Sequence, residues 1–385
     1  MDRAQLIDWS SSESYVLLNP RLPAELKSRV HLDRLPKMGG VVWLGSSGTT
    51  SIGSITLYGL KKTAILIGAE AVNRHLDVTM NDKWILTLPV FHAGGLSILA
   101  RAFLGHQTVI DRSFDKWGAD KFHSWVNESQ ATLAAIVPTQ VFDLVKLGRK
   151  APHSLRAVIV GSAALSEELY FQARELGFPV LPTFGATEVC SQIATAELSS
   201  LSGDAYPELR VLPHIEVKLM EDDRLAIQSS ALFSVLADIT TEATDVLWRA
   251  GEWYVMKDRA ELSFDERDPE RIWLTPKGRV GDIVKVSGEA VNLLELTQLF
   301  FRILSNHRRA IDFAILPTLD ARRGHEIALV LPLDCFRGHK SFVNEFNVQV
   351  LPVAKIQSVY FVREIPKTEL GKVRIAELKK QLGLP

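Results

Sequence analysis

The chain predicts an α/β fold: a large N-terminal domain of parallel-rich sheets with a small β subdomain, followed by a small α+β domain. Three observations carry this. Apolar runs of strand length alternate with amphipathic stretches of helix length through the first half, the pattern of parallel sheets covered by helices. Between about Leu198 and Arg271 the pattern changes to shorter strands and charged turns. After Gly278-Arg279-Val280-Gly281-Asp282 a compact set of strands and helices begins again. The expected domains are residues 1–278, with 198–278 as the β subdomain, and residues 279–385.

In chain order, Val41–Leu44 and Ile52–Tyr58 read as strands, Lys61–Leu76 as a helix and Trp84–Leu88 as a strand. Ala119–Ser129 has helical periodicity, and Thr132–Val137 is a buried strand ending at Pro138. Leu155–Val160 is a strand, and Ser166–Leu176 is a helix with Ser166 placed to cap its first turn. Val180–Pro182 is a short strand. The β subdomain contributes Ile215–Met220, Leu225–Gln228, Val246–Trp248 and Trp253–Met256. Beyond the boundary follow helix Leu293–Leu304, strands Ala310–Leu316 and Glu326–Leu331, helix Ser341–Gln349, strand Ser358–Phe361 and helix Val373–Leu382.

With 385 residues, 46% hydrophobic and 23% charged, the chain can build a substantial core. Its net charge of −1 gives no field that recruits nucleic acid or an acidic membrane. Residues 279–385 hold 16 Lys+Arg against 11 Asp+Glu, a surplus of 5 that suits a polyanionic ligand. Cys190 and Cys335 are the only cysteines, too few for a disulfide framework or a zinc site. No apolar run approaches the ~20 residues that span a bilayer. The start lacks the basic-then-apolar layout of a signal peptide, so the expected compartment is the cytoplasm.

Four motifs carry chemistry. Gly45-Ser46-Ser47-Gly48-Thr49-Thr50-Ser51 follows a strand and packs glycines among hydroxyl residues, a composition that lets backbone N–H groups surround phosphates. It lacks the Gly-Lys-Ser/Thr ending of the P-loop. Phe184-Gly185-Ala186-Thr187-Glu188 comes second, Gly278-Arg279-Val280-Gly281-Asp282 third, and Pro366-Lys367-Thr368-Glu369-Leu370-Gly371-Lys372 last. In this order they resemble the adenylate-forming enzymes: acyl- and aryl-CoA ligases, luciferases and peptide-synthetase adenylation domains. The resemblance covers about residues 40–385. It implies that a carboxylate attacks the α-phosphorus of ATP, and that the thiol of coenzyme A then displaces AMP.

The resemblance also assigns roles. Ser46, Ser47, Gly48, Thr49 and Thr50 would cradle the β- and γ-phosphates, although Ser51 and Gly53-Ser54 stand where the family has glycine and Pro-Lys. Glu188 would hold Mg²⁺, a hard cation that takes carboxylate and phosphate oxygens. Thr187 would donate to the α-phosphate. Phe184 and Gly185, with the turn Gly161-Ser162-Ala163, would lie along the adenine. Asp258 would accept from the ribose hydroxyls, and Arg279 would contact the ribose or the phosphates. Lys372 is the catalytic cation, a mobile point charge with three donors. Gly281 sits at the hinge, and Ser287-Gly288 lines the route of the coenzyme A arm.

For the acid, Leu88-Pro89-Val90-Phe91-His92 resembles the acid-site segment of the CoA ligases, where His92 either orients the acid or is a satisfied core residue. The context Thr187-Glu188-Val189-Cys190-Ser191-Gln192 is similar to the o-succinylbenzoate–CoA ligases of menaquinone synthesis. Ser191 and Gln192 would then meet that acid's second carboxylate or its ketone. The family has a longer segment before the phosphate loop. The N-terminal domain is therefore expected to be abbreviated, with part of the pocket wall missing or supplied by a second subunit of a homo-oligomer. The alternatives are a ligase for another aryl or short acyl acid, and an adenylate-binding protein that has lost turnover.

Overall fold

The computed structural model describes residues 7–22, 24–45, 54–240, 243–265, 268, 270–287, 289–307, 309, 311–320, 322–335 and 338–384. Two mixed sheets dominate the N-terminal part. The larger has 11 strands. Its parallel half runs Val180–Ala186, Ala157–Val160, Leu133–Ile136, Lys83–Leu86, Thr108–Asp111, in that spatial order. The three central strands, Ala157–Val160, Leu133–Ile136 and Lys83–Leu86, are buried nearly throughout, as expected where helices cover both faces, while the edge strand Thr108–Asp111 is not. The helices Ala93–Gly105, Ala119–Ser129, Pro138–Leu147 and Glu167–Glu175 make the crossovers. Ser166 caps the last of these by accepting from the Leu169 N–H, as its position in the sequence foretold. The helices Ala93–Gly105 and Pro138–Leu147 are additional to the elements read from the pattern.

Beyond Ala186 the sheet continues antiparallel through Ser191–Thr195, Leu209–Val211, Ile272–Arg279, Trp253–Phe264, Arg224–Gln228 and Glu216–Leu219. The strand expected at Val180–Pro182 therefore extends four residues further, to Ala186. A bulge between Phe184 and Gly185 keeps it paired. Gly185 is required there: a Cβ would lie 2.2 Å from the Ser191 carbonyl oxygen. The second sheet has five strands in the order Tyr15–Leu17, Val41–Gly45, Ser54–Lys61, Val235–Thr240, Thr244–Trp248. The strands of residues 198–278 are thus divided between the two sheets.

One apolar cluster joins the two sheets, from Ile7 and Val42 to Leu274, and it includes Leu370 from near the C-terminal end. Residues 283–362 build two small sheets, Ile283–Val286 with Glu289–Asn292, and Ala314–Asp320 with Gly324–Pro332 and Ile356–Val362. Helices Leu293–Asn306 and His339–Gln349 help enclose a separate core around Phe300, Leu329 and Phe346. A separate core is what an independently moving unit needs. Among the described residues, no helix is long and apolar enough to cross a membrane.

Candidate active site

The strand order of the large sheet puts several strand C-termini on one side, where open α/β sheets collect ligands. A cavity of about 240 Å³ opens there. Its apolar wall comes from Leu88, Ala135, Ile136, Val137 and Ile159, and its polar wall from residues far apart in sequence. Gly161, Ser162, Gly185, Thr187, Glu188, His92, Ser191, Gln192, Arg279 and Lys372 all line it. The sequence reading named every one of these.

Glu188 sits in a 3₁₀ turn, Thr187–Val189, that ends at Cys190 with φ 56°. Its backbone carbonyl accepts from the Phe233 N–H at 2.8 Å. The Tyr58 hydroxyl donates to its Oε1 at 3.4 Å. Burial pushes the Glu188 carboxyl above the ordinary range, and Asp258 adds to this. Its own backbone N–H, Arg279 and the Tyr58 hydrogen bond act in the opposite direction. Among the described residues it is the only carboxylate lining the cavity, and no cluster of three or more His, Cys, Asp or Glu could hold a metal. One carboxylate fits Mg²⁺ only where nucleotide phosphates and water complete the shell.

Asp258 and Arg279 face each other across adjacent strands. They form a bidentate pair, Nε to Oδ1 at 2.9 Å and Nη2 to Oδ2 at 3.2 Å. Arg279 reaches the cavity through a side chain that Asp258 already orients. Lys372 arrives from the other end of the chain. Its hairpin is closed by the Thr368 N–H donating to the Lys372 carbonyl at 2.8 Å and by the Gly371 N–H donating to the Thr368 carbonyl at 2.9 Å. Burial holds the Lys372 ammonium below the ordinary lysine range and Arg279 adds to this, while Asp258 and Glu188 pull it up. The four groups form one electrostatic unit.

A second cation was not foreseen. Arg101 lies on helix Ala93–Gly105 with a relative exposure of 2%. Its guanidinium donates to Ser97 Oγ at 3.1 Å, to Ser191 Oγ at 2.7 Å and to Gln192 Oε1. All three partners are neutral. Its Nε has no partner, and no carboxylate pairs with it among the described residues. Burial pulls it down to about 9, so it stays charged at neutral pH. A buried charge without a counter-charge is costly. Ser191 and Gln192 line the cavity, but their side chains are engaged with this guanidinium.

His92 occupies the position just before the same helix, without a side-chain capping hydrogen bond, and lines the cavity. Burial pulls it down to about 4, with Glu369 and Lys372 acting in opposite directions, so it is neutral at pH 7. Tyr58, Tyr254 and Lys257 also line the cavity. Phe184 and Ala163 are not among the lining residues; Phe184 packs against the main core. Lys62 is pinned by the Asp8 and Ser11 carbonyls. Ser287 lies in the turn of the small two-stranded sheet, its N–H on the Arg323 carbonyl at 2.8 Å. Gly281 lies in the 3₁₀ turn Val280–Asp282, and nothing stands within 4 Å of where its Cβ would be. Ser46, Ser47, Gly48, Thr49, Thr50 and Gly288 lie outside the described residues.

Residues 59–229 match the family described as AMP-binding enzyme. The match spans 171 of the 385 residues. The chain is 27% identical to the 2-succinylbenzoate–CoA ligase of Escherichia coli (strain K12) over 288 residues, 71% of this chain and 56% of that protein. It is 26% identical to the indoleacetate–CoA ligase of Aromatoleum aromaticum over 317 residues, 79% of this chain and 60% of that protein. The chain thus spans little more than half the length of these relatives. Among solved structures, the o-succinylbenzoate CoA synthetase of Bacillus subtilis, bound to its acyl-adenylate intermediate, superposes with a TM-score of 0.71. That likeness has 20% identity and covers 88% of this chain and 68% of that one. It establishes the expected fold.

Proposed function

We propose that this chain is an ATP- and Mg²⁺-dependent acid–CoA ligase acting on an aromatic acid with a second carboxylate, o-succinylbenzoate. The single observation that carries the reading is Arg101, a buried guanidinium with no counter-charge among the described residues, in the same cavity as Lys372. The two cations have different neighbours: Lys372 is coupled to Arg279, Asp258 and Glu188, and Arg101 to Ser97, Ser191, Gln192 and Cys190. One serves the reacting carboxylate and the nucleotide. The other receives a carboxylate that does not react. Leu88, Ile136, Val137 and Ile159 supply the apolar wall for a ring between them. The names of the Escherichia coli and Bacillus subtilis proteins support the same acid, whereas that of the Aromatoleum aromaticum protein points to a one-carboxylate acid.

In this reading a carboxylate oxygen attacks the α-phosphorus, the bond to the bridging oxygen breaks, and pyrophosphate leaves. No protein nucleophile is needed; positioned charge does the work. Glu188 would hold Mg²⁺, which neutralises phosphate charge when bound. Thr187 donates to the α-phosphate. Asp258 takes the ribose hydroxyls while orienting Arg279. In the second half, the coenzyme A sulfur attacks the acyl carbon, its thiol proton passes to solvent, and the acyl–oxygen bond breaks to release AMP. The cytoplasm, where ATP and coenzyme A are both supplied, is the compartment that fits this reading. Pyrophosphate release with a panel of acids tests the reading. Release with o-succinylbenzoate, and much less with benzoate or short fatty acids, is expected. Release with none of the acids would leave a nucleotide-binding protein without turnover.

Gly371 supplies a separate check. Its φ is +73°, and a Cβ there would lie 2.3 Å from Thr139 Oγ1 and 2.9 Å from Thr139 Cβ. Gly371→Ala should therefore strain the hairpin by about 1–3 kcal/mol and slow acyl-adenylate formation about tenfold. An unchanged rate would mean that adenylation does not need the hairpin seated on Thr139.

A further inference from the structure

The Lys372 hairpin is held in the cavity by more than its own residues. Leu370 is 5% exposed within the main N-terminal core, and Gly371 sits on Thr139. Between them and the start of the motif lies Glu369, whose side chain is 12% exposed. Its partners come from both ends of the chain. Arg21 Nη1 donates to Glu369 Oε1 at 3.2 Å. Arg374, just beyond the hairpin, lies 3.8 Å from the same oxygen. The Asn19 side chain is a further hydrogen-bond partner. Burial pushes the Glu369 carboxyl up, but its own backbone N–H, Asn19, Arg21 and Arg374 outweigh this and hold it below the ordinary range.

The turn that presents these groups is itself built. The Asn19 side chain accepts from the Arg21 N–H at 2.9 Å and its carbonyl accepts from the Leu22 N–H at 3.1 Å. It follows directly on Tyr15–Leu17, an edge strand paired in parallel with Val41–Gly45. The turn is therefore fixed to the five-stranded sheet, and Glu369 ties the hairpin to it. Elsewhere between the two parts, Arg302 meets Glu168 at 2.9 Å.

We propose that Glu369 is a positioning residue for Lys372: clamped to the Asn19–Arg21 turn, it keeps the lysine hairpin seated in the cavity during adenylation. The clamp rests on the ligase reading for its purpose but not for its existence. Arg21 is 74% exposed, so its share is modest, and most of the effect belongs to the buried carboxylate.

The test measures the two half-reactions separately. Arg21→Ala should slow acyl-adenylate formation about 3-fold, and Glu369→Gln about tenfold. Thiolysis of supplied acyl-adenylate should keep its rate. Arg21→Lys should retain most of the wild-type adenylation rate. The double variant should be no slower than Glu369→Gln alone, because both act through one contact. Equal losses in both half-reactions, or additive losses in the double variant, would overturn the clamp. Hydrogen exchange of residues 367–373 provides a readout free of turnover. Faster exchange in Arg21→Ala supports the clamp even if no acid is adenylated, the result that would end the ligase reading. Unchanged exchange overturns it.

Discussion

Lys372→Ala is expected to slow acyl-adenylate formation by about 10²–10³-fold, the usual cost of losing one preorganised contact to developing charge. Thiolysis of supplied acyl-adenylate should stay close to wild type. The reason is electrostatic. The first half-reaction brings an anionic acid against an anionic nucleotide and expels a third anion, and Lys372 is in the same cavity as Glu188 and Arg279. The second half-reaction uses a neutral thiol and has less need of that cation. The lysine acts only when protonated, and burial, then Arg279, hold it below the ordinary lysine range against Asp258 and Glu188. Adenylation should therefore be insensitive to this group at low pH. It should decline on the alkaline side earlier than an exposed lysine would allow. Single-turnover measurement of both halves, across pH, checks both statements. Equal losses in the two halves would remove Lys372 from its role.

The parts of the site that were legible in the sequence are those compressed into short segments. Phe184 to Glu188 could be read because turn, hydroxyl and carboxylate lie within five residues, and Lys372 because the glycine and threonine of its hairpin lie beside it. The length of strand Val180–Ala186 was not legible. Its last residues are held by pairing with Ser191–Thr195 and by the bulge at Gly185, neither of which shows in local periodicity. Within residues 198–278 four strands were legible in local pattern, while Leu209–Val211 and Val235–Thr240 were not; the latter is held by pairing with Ser54–Lys61, a contact that spans far more chain than any pattern does. The Glu369 clamp joins residues 348 apart, so only the folded chain reveals it.

Arg101 shows the same limit, and the largest substrate effect should come from it. The run Gly95-Leu96-Ser97-Ile98-Leu99-Ala100-Arg101-Ala102-Phe103-Leu104, which the structure shows to be helical, is apolar with one charge in it. That lone arginine was the available signal. Its meaning depends on Ser191 and Gln192, 90 and 91 residues away. Arg101→Met keeps length and apolar bulk while removing the charge. Truncating one side of a buried charge pair costs about 2–5 kcal/mol. The variant should therefore lose roughly 30- to 5,000-fold in kcat/KM for o-succinylbenzoate on that scale. A ring acid with one carboxylate should lose little, because it leaves no charge unpaired. Ser191→Ala should fall between the two: it removes one support of the guanidinium and leaves the charge in place. Stability moves the other way. Without an acid bound, Arg101→Met removes an uncompensated buried cation and should leave the unfolding midpoint equal to or above that of the wild type. Measuring kcat/KM for both acid types beside thermal unfolding separates the cases. A loss shared by both acids, or a drop in the midpoint, would make Arg101 a structural residue and leave the second carboxylate without a partner.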